Sequence, residues 1–267
     1  MLLLTVLSAA VGALALGGAS WKWQLPARKS AAIILLSTVA AISAIQAWPF
    51  LARQWTHLFM VLVIQGSTFA AVILWLFYRD PNRRPPDEPG IVVSPADGTV
   101  IYVRRLEAGE PLKSAKNGAE MVLDELRGTG IEDQPLWQIG IAMVFTDVHV
   151  NRSPIPGTVK LLHHRPGAFL SLRKKEALAA NERQTLVIGD GSVKVALVQI
   201  ASRLVRQIVS YVAFGEAVAI GQRIGMIRFG SQVDLFVPVS VAPRLNVVVG
   251  QRTRAGETIV CRTQQRG

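Results

Sequence analysis

Hydrophobic residues are distributed in two regimes along the chain. Up to Tyr78 they form three long uncharged runs, 1–20, 31–50 and 58–77. Each is close to the roughly 20 residues a helix needs to cross the hydrocarbon core of a bilayer. Beyond Tyr78 they come in short pieces, at 91–94, 99–103, 139–145, 158–162, 184–188, 193–200, 206–212, 223–229, 233–239 and 245–249, lengths that suit strands. Alternation within them is imperfect and several are nearly all apolar, as expected where two sheets pack on each other. Helical signal here is confined to 170–180, rich in Leu, Ala, Lys and Glu, and more weakly to 119–127. The pattern predicts a mainly β (α+β) domain at 79–267, a β-rich sandwich or distorted barrel with one or two helices. A membrane anchor at 1–78, of two to three N-terminal transmembrane helices, precedes it.

Charge sharpens this division. Residues 1–78 hold no Asp or Glu and only Lys22, Arg28, Lys29 and Arg53 of the 29 basic residues, so all 18 acidic residues lie beyond Tyr78. Lys22, Arg28 and Lys29 fall between the first two runs, Arg53 between the second and third, and Arg79, Arg83 and Arg84 after the third. The positive-inside rule therefore puts everything after Tyr78 in the cytoplasm, against the inner face of the cell membrane, whether or not 1–20 spans. That first run lacks the basic start of a signal peptide. The runs carry Gln46 and Gln65 but no ionisable group, so they read as anchors rather than as a transport path. The remaining basic residues are scattered without interleaved aromatics, which fits a solvated surface or an anionic membrane better than a nucleic-acid groove. The proline-rich, basic stretch from Arg79 to Pro86 reads as the exit from the membrane and a natural boundary.

Few residues can do chemistry. Cys261 is the single cysteine, without a disulfide partner or a metal-ligand spacing, and reads as an inert strand residue. No metal cluster, phosphate-binding loop, dinucleotide fingerprint or Gly-x-Ser-x-Gly elbow is present. Of the four histidines, His57 lies beside the third apolar run. His163 and His164 are adjacent, so on a strand they point to opposite faces. His149 stands in a polar cluster, Thr146-Asp147-Val148-His149-Val150-Asn151-Arg152, at the end of a strand-like run, where catalytic groups tend to collect on loops. From this segment alone, a loop histidine bonded to the backbone is the default reading. Asp97, in Pro95-Ala96-Asp97-Gly98, is what a tight turn wants, and would also suit a carboxylate that orients a histidine. Gly230-Ser231 lies between two apolar runs and is one of three Gly-Ser steps, with Gly66-Ser67 and Gly191-Ser192. It reads as a hairpin corner or as a self-cleavage site.

Taken in order, these blocks resemble the phosphatidylserine decarboxylases. They are Tyr78-Arg79-Asp80-Pro81 with Arg83 and Pro85; Ser94-Pro95-Ala96-Asp97-Gly98; Asp147-Val148-His149-Val150-Asn151-Arg152 with Pro154 and Gly157; Pro166-Gly167-Ala168-Phe169; Asn181-Glu182-Arg183; and Phe229-Gly230-Ser231. The likeness is to the shorter members, with a plain Gly-Ser cleavage step. It implies an enzyme that cuts itself between Gly230 and Ser231, turns Ser231 into a covalent pyruvoyl cofactor, and works as two chains, 1–230 and 231–267. His149 would be the base and Asp97 its orienting group, as in a serine protease. Arg152, Asn181 and Arg183 would meet the substrate, guanidinium forks being suited to a lipid phosphate. The substrate implied is a membrane phospholipid, phosphatidylserine, which a Schiff base with the pyruvoyl group would decarboxylate to phosphatidylethanolamine. Longer members carry a second histidine three residues after the first, where this chain has Arg152, so both histidine duties would fall to His149 or one of them elsewhere. No metal and no nucleic acid is expected, and a homo-oligomer is compatible with all of this. Two other readings share the same residues: decarboxylation of another serine lipid, such as an archaeal ether lipid, and a non-catalytic barrel-sandwich adaptor anchored in the membrane. The second has a faint basis in the echo of Gly221-Gln222-Arg223 in Gly250-Gln251-Arg252.

Overall fold

The structure, a computed structural model, describes residues 2–22, 25–47, 54–116, 119–167, 182–190, 193–201, 207–228 and 231–263. These form two compact units: Met1–Arg79 together with Val144–Asp147, and Asp80–Met143 together with Val148–Gly267.

The first unit is helical, with α1 (Leu2–Lys22), α2 (Ala27–Ala47) and α3 (Gln54–Tyr78). Small and branched side chains fill the seams between the helices: Ala9, Ala41, Ile45 and Val61 in one cluster, Leu25, Ile33, Phe69 and Ile73 in another. The outer faces are apolar too, with Leu14, Trp21, Leu35, Phe59 and Trp75 all exposed. Helices apolar on every side suit lipid rather than water. Ala27–Ala47 and Phe59–Tyr78 are long and apolar enough to cross a membrane, whereas the apolar part of α1, Thr5–Trp21, is shorter. Gln65 donates to Thr38 Oγ1 at 2.7 Å and to the Ala9 carbonyl at 3.3 Å, a polar tie between helices. The segment Val144–Asp147 belongs to this unit. The Phe145 ring centroid lies 5.9 Å from that of Phe77, and Arg79 Nη2 donates to the Thr146 carbonyl at 2.8 Å.

The second unit is built of strands: β1 (Ile91–Val93), β2 (Gly98–Leu106), β3 (Lys113–Lys116), β4 (Ala119–Val122), β5 (Leu136–Met143), β6 (Val150–Arg152), β7 (Gly157–Arg165), β8 (Arg183–Gly189), β9 (Lys194–Ala201), β10 (Gln207–Ser210), β11 (Ala217–Val218), β12 (Arg223–Arg228), β13 (Ser231–Pro238), β14 (Arg252–Thr253) and β15 (Ile259–Arg262). The main sheet is an antiparallel half-barrel of eight strands in the order β11-β7-β8-β9-β13-β5-β2-β14. Smaller sheets β10-β12-β6, β1-β15 and β3-β4 accompany it.

Two apolar cores cover the two faces of this sheet. Leu186, Ile188, Val195, Leu197, Val233, Leu235 and Val237 enter the larger one. Their neighbours in sequence, Val187, Ala196, Val198, Ile200 and Phe236, enter the other, beneath Leu112, Met121, Leu123, Leu126 and Ile131. Strands β8 and β9 are therefore buried on both sides, which is why their sequences lack alternation.

Three expectations need correction or placement. Residues 119–127 are not a helix: Ala119–Val122 pairs with Lys113–Lys116, and only Asp124–Leu126 closes a 3₁₀ turn. Met121 and Leu123 are buried while Glu120 and Val122 are exposed, the period of a strand. Residues 245–249 form no strand beyond a single bridge, Leu245 to Cys261. The partner of β1 is instead β15, where burial pushes the Cys261 thiol up to about 12 and keeps it inert. The segment 170–180 lies outside the described residues.

Candidate active site

Strand β5 ends at Met143, and Met143 is the register partner of Ser231, the first residue of β13. On its other side Ser231 is opposite Ala201, the last residue of β9. The serine position is thus held by two strand ends. Gly230 and Asn181 lie outside the described residues.

Past Met143 the chain turns, with the Val144 N–H donating to Asp147 Oδ2 at 2.9 Å, and reaches His149, which is fully buried. The His149 carbonyl accepts the Ile227 N–H at 3.2 Å. From there β6 follows β12, with Val150 opposite Met226. Ile227, near the end of β12, stands four positions before Ser231, the first residue of β13, so the backbone bond from Ile227 ties the His149 segment to a strand that ends close in sequence to the serine.

Asp97 sits in the bend between β1 and β2, a bend that only glycine can complete. A Cβ on Gly98 would lie 2.3 Å from the Ala142 carbonyl oxygen, at φ +154°. The buried Asp97 carboxylate accepts from both terminal nitrogens of Arg83, with Nη2 to Oδ2 at 2.8 Å. It also takes the Ala255 N–H at 2.8 Å, and the backbone of Val148, the residue before His149, faces it and favours its charge. Burial works against its charge, but the Arg83 fork and these backbone groups outweigh it and hold the carboxyl below the usual carboxylate range. The turn that carries Asp97 therefore meets the backbone of the segment that carries His149.

A chain of buried amides braces that segment from below. Gln184 Nε2 donates to Gln199 Oε1 at 2.9 Å, Gln199 Nε2 to Asn151 Oδ1 at 2.8 Å, and Asn151 Nδ2 to the Pro95 carbonyl at 3.4 Å. The Arg152 N–H closes the same contact by donating to Pro95 O at 2.9 Å. Glutamines set inside apolar strand runs were the available signal for this brace, and Arg83 had none beyond its place in the proline-rich segment.

The arginines expected at a lipid phosphate are otherwise engaged. Arg152 is buried and donates to the Gly221 carbonyl, to Asp80 Oδ1 and to the Pro81 carbonyl, each at 3.0 Å. Arg183, also buried, clasps Glu125 at 2.9 and 3.0 Å and reaches the Val122 carbonyl at 3.1 Å. Internal acceptors take both terminal nitrogens of Arg152 and the Nε and Nη2 of Arg183, as burial favours for a guanidinium, while the Arg152 Nε is left without a partner. His163 and His164 are exposed on β7, with His164 Nε2 3.4 Å from Glu182. No group of His, Cys, Asp and Glu suited to a metal occurs among the described residues.

The sequence matches the model of the phosphatidylserine decarboxylase family over residues 70–261. It is 37% identical over 251 residues to a phosphatidylserine decarboxylase proenzyme of Erythrobacter litoralis, covering 92% of this chain and 91% of that one. The corresponding proenzyme of Novosphingobium aromaticivorans is 35% identical over 91% of this chain and 89% of its own. That of Nocardia farcinica is 40% identical over 69% and 70%. With a buried histidine, a gripped carboxylate and a strand-opening serine on the matched region, the chain belongs to the phosphatidylserine decarboxylase family and is a decarboxylase.

Proposed function

We propose that this chain decarboxylates phosphatidylserine to phosphatidylethanolamine with a pyruvoyl group made from its own Ser231. Its likeness to proteins named proenzymes, along nine-tenths of their length, carries this reading. In the first stage the Ser231 hydroxyl adds to the Gly230 carbonyl, its proton passing to His149. The peptide C–N bond breaks, leaving an ester and a free amine at 231. Loss of the 231 α-proton then expels the Gly230 carboxylate, and water converts the resulting dehydroalanine to pyruvoyl and ammonia. Glycine before the serine tolerates the close backbone approach this attack requires, and a weak hydroxyl needs such a base.

Position 231 suits a group that must survive the cut. Strand β13 is paired on both sides from its first residue, so the new N-terminus stays in place. Strands β14 and β15 also bind the smaller piece to β2 and β1 of the larger one. When formed, the pyruvoyl group supplies a carbonyl for the substrate amine and a sink for the electron pair left as carbon dioxide departs. His149, fully buried at the entrance to β6, holds the proton to be returned to the substrate carbon. The turn of the ionised Asp97 braces the segment that carries it. The apolar helices keep the enzyme at the membrane where the acyl chains lie, and the flanking basic residues favour a cytoplasmic strand unit.

Intact mass spectrometry of the purified full chain tests this. The expected products are 1–230 and a blocked 231–267 whose mass fits pyruvoyl, with Ser231→Ala remaining one inactive chain. A wild-type chain that stays whole while converting phosphatidylserine overturns the proposal.

A further inference from the structure

The segment that follows the last helix looks in sequence like a tether, yet it is bolted into the strand unit. Asp80 pairs with the buried Arg152 and with Arg223, and Asn82 Oδ1 accepts from Arg223 Nη2 at 3.1 Å. Pro85 leaves no room for a Cβ on Gly221, which would fall 2.4 Å from Pro85 Cγ. Between these two anchor points Arg83 turns inward. Its side chain is 7% exposed and that of Asp97 10%. The two-point geometry is the strong form of a carboxylate–guanidinium contact. Arg83 Nη1 also donates to the Ala255 carbonyl at 2.9 Å, while the Ala255 N–H donates to Asp97 Oδ1 at 2.8 Å.

We infer that Arg83 is a positioning residue for His149, acting through Asp97. The carboxylate, fixed by Arg83, receives the Ala255 N–H on Oδ1 and faces Val148, while Pro95 of the same turn takes the Arg152 N–H at 2.9 Å and the Asn151 amide at 3.4 Å. Arg83 holds both oxygens with a rigid fork and supplies the charge that keeps so buried a carboxylate ionised. Holding this turn against Val148 and the start of β6 holds the backbone of His149 between them. In this chain, then, the turn of the aspartate works on the backbone around the histidine, and the ionic partner of the aspartate is an arginine from the segment leaving the membrane. The arrangement also joins the two pieces that self-cleavage would produce, since Arg83 and Asp97 lie in 1–230 and Ala255 in 231–267.

The inference rests on the pyruvoyl reading above, and the test separates the two. The rate of two-chain formation would be followed in full-length wild type, Arg83→Gln, Arg83→Lys, Asp97→Asn, the double variant Arg83→Gln/Asp97→Asn, and Arg84→Gln as a control on an exposed neighbour. Arg83→Gln is expected to slow cleavage roughly ten-fold or more, the scale on which small misplacements of a reacting group act. Arg83→Lys should fall between it and wild type, and Arg84→Gln should match wild type. The double variant should be no slower than Asp97→Asn alone, because the arginine acts through the carboxylate. The pH profile supplies a readout that loosened packing would not move. The carboxylate faces Arg83, with Asp80, Glu257 and Arg152 arrayed around that guanidinium. Losing Arg83 should therefore move the acid limb of cleavage to higher pH in Arg83→Gln, with a smaller displacement in Arg83→Lys. If Arg83→Gln is not recovered folded, Arg83→Lys decides by its rate and acid limb. Additive effects in the double variant, or wild-type cleavage in both Arg83 variants, overturn the inference alone. A wild type that never cleaves overturns the pyruvoyl reading and the inference with it.

Discussion

Tyr102 donates its hydroxyl to Asp234 across 2.6 Å, inside the face of the sheet that lies under the β3–β4 hairpin. Asp234 is fully buried and sits three residues past Ser231 on the same strand. Gln232 Nε2 donates to its other oxygen at 2.8 Å and Gln138 Nε2 to the first at 3.1 Å. The donors to Asp234 are neutral, with the Arg104 guanidinium 4.7 Å from the Tyr102 ring centroid, and burial pushes the Asp234 carboxyl above the usual carboxylate range, its donors offsetting only part of the cost.

A raised carboxyl stabilises the fold at pH values below its unfolded pKa, and that contribution fades as pH climbs through the folded value. Asp234→Asn should therefore compare best with wild type at alkaline pH and worst near pH 4. Melting of the detergent-solubilised chain across that range would show it, and a pH-independent difference would contradict it. Tyr102→Phe should cost about 1–3 kcal/mol, since it leaves a buried acceptor short of a donor.

His149→Ala should cleave very slowly or stay whole, with a loss of roughly 10²–10⁴-fold for a general base. The mutant chain should still melt cooperatively. Gel-resolved cleavage over hours, with melting alongside, separates a chemical defect from an unfolded one.

Arg183 is expected to matter for folding only. Its partner Glu125 is buried, and the Arg183 fork with Thr185 overcomes that burial to hold the carboxyl below its usual range. Arg183→Met strands the charge and should destabilise by roughly 3–5 kcal/mol, with Glu125→Gln alongside it restoring part of the loss. A depressed carboxyl contributes above its unfolded pKa and loses the contribution as pH falls through its folded value, so wild-type stability should drop on acidification and the double variant should drop less. Per folded molecule, decarboxylation should be unchanged, and a selective rise in KM for lipid would reassign Arg183 to the substrate.

Asn151→Ala breaks the relay from Gln199 to the Pro95 loop. We expect about 1–3 kcal/mol of lost stability from the orphaned Gln199 amide. Self-cleavage should slow as well, because β6 carries His149 at its entrance. Asn151→Asp, which can still accept from Gln199, should recover more of the cleavage rate than of the stability.

Much of this was legible in the residues alone. Long uncharged runs can only be satisfied by lipid or by each other, so the helices at the start of the chain followed from composition. Short apolar runs with turn residues gave the β domain, and His149, Asp97 and Ser231 stood out through the order of family blocks around them. Residues 119–127 misled because good helix formers there obey a two-residue burial period imposed by the β5 and β9 side chains beneath them. What the linear pattern could not contain was partnership. Whether Arg152 and Arg183 meet a phosphate or an internal carboxylate, and whether Asp97 grips an imidazole or an arginine, depends on which buried groups the fold brings within 3 Å. A guanidinium in a proline-rich stretch reads as a solvated surface until folding buries it beside the acid 14 positions on that needs it.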